Sequence, residues 1–141
     1  MLAEWRDEMD FRSSSREKFR KYMLSMVPEI EYHPESVLIA VNALRKDKID
    51  TSYVHISKLG GFFTAEYEQK QGTFHDGLYI PAEKIANASI YEQGLATSLV
   101  LELAEPASDG EGVRLFVDFP KFNMIGWHNK NLKRLRRALD A

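Results

Sequence analysis

The chain has 141 residues, of which 44% are hydrophobic, with 19 Lys and Arg against 21 Asp and Glu and no Cys. That length closes one hydrophobic core and suits a single domain. The near-neutral balance, formally −2, excludes a globally basic nucleic-acid binder and an acidic disordered tail, and zero Cys excludes disulfides, thiolate metal sites and cysteine nucleophiles.

The chain opens with Glu4, Asp7, Glu8 and Asp10, so no basic start precedes an apolar stretch and no signal peptide is expected. No apolar run approaches the roughly 18–20 residues needed to span a bilayer. A cytoplasmic protein is expected. Leu2, Trp5 and Met9 recur at helical spacing, and Ser14 with Glu17 fits a capping box. Phe19, Tyr22, Met23, Met26 and Val27 then form an apolar stripe, with Arg16, Lys18, Arg20 and Lys21 facing outward. Pro28 cannot continue a helix and ends it. Residues 1–34 are therefore predicted to be a helical N-terminal arm.

From Glu35 the period changes. Residues 37–44 read as a buried strand, with a helix as the rival because Pro34 suits a first helical position and Arg45 and Lys46 a last turn. Ser52 to Leu59 alternates Tyr53, His55 and Ser57 with Val54, Ile56 and Lys58. After Gly60-Gly61, Phe63, Ala65 and Tyr67 alternate with Thr64, Glu66 and Glu68. Gln71 to Gly77 is predicted as a loop, Leu78 to Pro81 as a short strand, and Ile85 to Ile90 as a mixed stretch running to a turn at Gly94. Ser98 to Leu103 and Val113 to Phe119 are strands joined by a hairpin loop of Pro106, Ser108, Asp109, Gly110 and Gly112. After Gly126 a helix aligns Leu132, Leu135 and Leu139. Consecutive strands with short connections imply antiparallel pairing. The predicted fold class is α+β, mainly antiparallel β: a small curled sheet or barrel with a C-terminal helix across one open end.

This pattern resembles the pleckstrin-homology-like barrels, especially the short bacterial PH and GRAM-like domains. Pro34-Glu35-Ser36-Val37-Leu38-Ile39-Ala40 resembles their first strand. Leu78-Tyr79-Ile80-Pro81 with Ile85 is similar to their strand, proline and turn passage. Leu99-Val100-Leu101-Glu102-Leu103 followed by Val113-Arg114-Leu115-Phe116-Val117 resembles their last hairpin. The resemblance implies a PH-like domain over residues 35–141, with the helix near Trp127 as its cap. Such families include lipid-headgroup binders, peptide binders and scaffolds, so the likeness alone fixes no function. Their phosphoinositide-binding members place basic residues on the first strand connection, where this chain has Arg45, Lys46 and Lys48 interleaved with Asp47 and Asp50.

Charge is segregated along the chain. Residues 29–120 carry seven basic and fifteen acidic side chains, whereas residues 121–141 carry six basic and one acidic. An acidic body repels anionic lipid and nucleic acid, so nucleic acid is disfavoured as a partner. The basic residues of the last helix offset the partial negative charge of its C-terminus. Their functional reading is that Lys130, Lys133, Arg134 and Arg137 meet an acidic protein partner.

For chemistry, His33, His55, His75 and His128 show no metal-ligand spacing, and no metal or cofactor is expected. His75 beside Asp76 is the best general-base candidate, although ordinary loop composition accounts for both residues. His55 reads as a half-buried strand histidine. Glu66 and Glu68 read as solubilising residues on the wet side of a strand. No catalytic constellation emerges. The sequence therefore points to a non-enzymatic protein-binding or scaffold module, with a protein partner or self-association through the N-terminal arm, whose apolar stripe otherwise packs on its own domain. A module for anionic membrane surfaces, using Arg45, Lys46, Lys48 and the last helix, is the alternative, and a small hydrolase or isomerase using His75 comes third.

Overall fold

The computed structural model describes residues 15–44, 49–68, 70–104, 113–121 and 125–140. Over these residues the fold is α+β, with two antiparallel sheets between an N-terminal and a C-terminal helix. Helix α1 covers residues 15–26. Strands β1 (Val37–Leu44), β2 (Ile49–Ser57), β3 (Gly61–Glu68) and β4 (Thr73–Ile80) form one sheet in sequential order. Strands β5 (Ile85–Gln93), β6 (Ala96–Leu103) and β7 (Arg114–Pro120) form the other, and helix α2 (Gly126–Asp140) follows. The strands thus pair as two sheets rather than one closed hydrogen-bonded barrel. At one corner β1 lies against β7.

Across β1 to β3 the four-stranded sheet is covered on both faces, by α1 on one and by the second sheet with α2 on the other, whereas β4 is partly exposed. One face carries Val37, Ile39, Tyr53, Phe63 and Ala65, and α1 packs its Phe19 and Met23 onto it; both side chains are fully buried. The other face carries Leu38, Ala40, Val54 and Phe62 and meets Leu99, Leu101 and Phe119 of the second sheet, together with Leu132 of α2. The layers are therefore α1, four strands and three strands, with α2 set across the end. The aromatic stripe that sequence reading assigned to an arm belongs to the main core: Phe19 sits 5.4–5.8 Å, ring to ring, from Tyr53, Phe63 and Phe74. Ser15 hydrogen-bonds Tyr53 Oη at 2.7 Å, and Arg16 lies over the Trp127 ring at 4.6 Å, so the start of α1 is fastened to both sheet and C-terminal helix.

Several expectations are corrected. Residues 73–77, predicted as loop, belong to β4 and pair with β3, Glu66 facing His75 and Tyr67 facing Phe74. Turn-forming His, Asp and Gly masked the strand, because Phe74 and the pairing with β3 outweigh their local preference. The stretch after Ile85 is one continuous strand with a bulge between Ile85 and Asn87, and that bulge broke the alternation seen in the sequence. Residues 37–44 form a strand, settling the helix alternative. The Ser14 capping box and the 105–112 hairpin loop lie outside the described residues.

Two glycines make close approaches. Gly61 opens β3 at φ +83, and a Cβ there would collide with the Ile80 carbonyl and the Ala82 amide. Gly77 sits under α1, where a Cβ would meet Met26 Sδ at 2.5 Å and Tyr22 Cε2 at 3.0 Å. Gly61→Ala is expected to cost about 2 kcal/mol or more, since backbone strain adds to the clash. Chemical denaturation reads this directly, and an unchanged unfolding midpoint would contradict the placement of the β2–β3 turn.

Candidate functional site

Helix α2 is held in place by polar contacts that no motif advertised. His128 is completely buried; its Nδ1 accepts the Ile39 amide of β1 at 3.0 Å, and its Nε2 donates to the Pro120 carbonyl of β7 at 3.1 Å. One imidazole thereby bridges the two sheets at their closed corner. Three residues on, Asn131 Nδ2 donates to the carbonyls of Pro34 and Val37, each at 2.9 Å. On the other side Arg136 pairs with Glu92 at 3.0 Å and donates to Thr97 Oγ1 at 2.7 Å, while Lys121 reaches Glu92 at 3.1 Å. Burial pushes the Glu92 carboxyl up, but Lys121, Thr97 and Arg136 outweigh it and hold the group below its ordinary range.

Anchored this way, the second half of α2 overhangs the end of the sheets without filling it. A cleft of about 530 Å³ remains between α2, the first residues of β5 and the adjoining ends of β1 and β2. Leu38 and Leu101, both essentially buried, form its floor. Ile56 and Leu135 wall it, and Lys58 and Arg134 stand on its rim. Its size falls within the usual range for ligand pockets, which is about 300–1,000 Å³. The cleft exists because Ala82, Ala86, Ala88 and Ala138 line it where larger side chains would close it.

Of the basic residues singled out from sequence, Lys130, Lys133, Arg134 and Arg137 are all exposed on α2, and Arg134 borders the cleft. Arg45, Lys46 and Lys48 lie outside the described residues. The apolar floor and Lys58 went unnoticed. Leu135 and Leu139 were visible as a stripe, but the alanines opposite them carry no periodic signal.

The histidines fall into distinct environments. His55 is fully buried rather than half-buried, because α1 and the segment after it cover that face of β2. Its Nε2 accepts the His33 amide at 3.0 Å and its Nδ1 has no partner. Burial, reinforced by His33, lowers its pKa to about 4. His75 meets Asp76 at 3.0 Å and Glu66 at 3.7 Å. Neighbours in sequence come together here because Asp76 adopts φ +55, which turns consecutive side chains to the same side. Among the described residues these three form the one group of three His and carboxylate donors that all lie within 4.8 Å of one another, close enough to share a cation. All three are exposed, so water screens their charges and competes for the same donors.

No protein family, curated protein or solved structure matches the chain. No helix among the described residues is long and apolar enough to cross a membrane.

Proposed function

We propose that this protein is a non-enzymatic protein-binding or scaffold module of PH-like type, and that the cleft under α2 is its docking site. The cleft itself carries the reading: it exposes part of the apolar side chains of Ile56, Ile85 and Leu135 above a floor of core residues, and Lys58 and Arg134 make its rim polar. Apolar surface of that kind, ringed by polar groups, marks interaction sites on soluble domains. Support for the PH-like likeness comes from the order of elements, four strands then three then a helix across the end. The exposed cations of α2 add an acidic preference. A membrane-surface role draws on the same cations, but the acidic excess of residues 29–120 opposes it.

Ala138→Glu tests the reading, because Ala138 is exposed, lines the cleft and tolerates a new side chain without disturbing the core. Partners captured by the full-length chain are expected to be lost from this variant while its melting temperature stays within a few degrees. Undiminished capture, or a catalytic turnover that disappears in His75→Ala, would overturn the proposal.

A further inference from the structure

We infer that the cleft receives a segment of a partner protein carrying a bulky apolar anchor beside a carboxylate; this rests on the protein-binding reading and names the partner's chemistry. The anchor follows from the floor. Leu38 and Leu101 belong to the core between the sheets, so a Leu, Ile or Phe side chain entering here completes that core and leaves water. Charge on the rim supplies the acid. Lys58 comes from the turn after β2 and Arg134 from α2, and neither forms an ion pair with another described residue. The carboxylate on the rim, Glu35, lies 3.5 Å from the His33 ring. Lys130, Lys133 and Arg137 extend the positive field along α2, whereas Arg136 is taken up by Glu92. A basic segment would be repelled, and a purely apolar one would leave these cations unanswered.

A protein segment fits better than an acyl chain with an anionic head. The cleft runs along β5, the outermost strand of its sheet, whose outer side pairs with no strand among the described residues. A partner's main chain can use those peptide groups, whereas a hydrocarbon tail cannot.

The test selects binders for the full-length chain from a displayed library of random peptides about twelve residues long. The parent protein is expected to enrich sequences with Leu, Ile, Phe or Trp within two positions of Asp or Glu. Arg134→Glu, a change at an exposed site, is expected to weaken those peptides about tenfold and to enrich Lys or Arg in place of the acid. Failure to enrich any peptide, enrichment with no acidic preference, or a preference unmoved by Arg134→Glu overturns the inference. The two levels separate cleanly. Peptides that bind but are indifferent to Arg134→Glu and Ala138→Glu would sink this cleft assignment while leaving a protein-binding module. If no peptide binds and dodecanoate instead protects the cleft, both readings fall.

Discussion

Replacing His128 by alanine is expected to lower the unfolding free energy by about 3 kcal/mol or more, the largest effect of any single polar substitution in the described fold. The deletion leaves the Ile39 amide and the Pro120 carbonyl without partners, and each buried orphan costs roughly 1–3 kcal/mol. The void left by a fully buried ring adds to this. Against a total stability of about 5–15 kcal/mol for a domain, the change removes a large share. His128→Gln, which keeps an amide able to reach one of the two groups, is expected to recover part of the loss. Equilibrium unfolding in denaturant measures both variants. An alanine variant as stable as the parent would mean that the sheets do not meet through this imidazole.

The second large effect is on pH dependence. His55 holds a pKa of about 4 in the folded chain against 6.5 for the free side chain, because burial and the neighbouring His33 disfavour its charged form. Between these values the unfolded chain binds a proton that the folded chain refuses, so stability falls as pH drops from 6.5 towards 4. The whole window is worth about 3 kcal/mol. Burial also lowers the His128 pKa, its hydrogen bond to the Pro120 carbonyl opposing only in part, so the second imidazole acts in the same direction. Protonation has a structural consequence too. A charged His55 can no longer accept the His33 amide, and a charged His128 can no longer accept that of Ile39. Unfolding curves between pH 7.5 and 4.5 should show a progressive loss that shrinks in His55→Gln, where the His128 contribution alone of the two remains. A flat profile in the parent protein would contradict the burial of both rings.

Much of this architecture was legible in the sequence, and the exceptions have a common cause. Alternation in residues 52–59 and 63–68, the strands at 98–103 and 113–119 and the leucine spacing of α2 each correspond to an element of the fold. Sheet class followed from short connections. What could not be read locally were consequences of a third layer. His55 read as half-buried, and the stripe of Phe19 and Met23 fitted either its own domain or a partner, because nothing along the chain says that these two surfaces cover one another. The strand at 73–77 was hidden by turn-forming residues, of which Gly77 leaves room for Met26 and Tyr22 of α1.

The candidate site was less legible than the fold. Arg134 was singled out from charge alone, and its position on the cleft rim is a property of tertiary packing. The cleft is defined by what is missing, namely side-chain volume at Ala86, Ala88 and Ala138, and small residues leave no periodic mark. His128 carried no motif either, because its two partners are main-chain groups 89 and 8 residues away. His75 with Asp76 was noticed from sequence, and their meeting depends on a backbone angle that the residues permit without announcing it.

The most direct measurement of the central claim is a methyl NMR spectrum of the Ile- and Leu-labelled protein titrated with a peptide recovered by selection. Docking under α2 predicts that Leu38, Ile56, Ile85 and Leu135 shift together and saturate at one peptide concentration, with Leu24 of α1 unmoved. Saturable binding that leaves those four methyl resonances in place would contradict it.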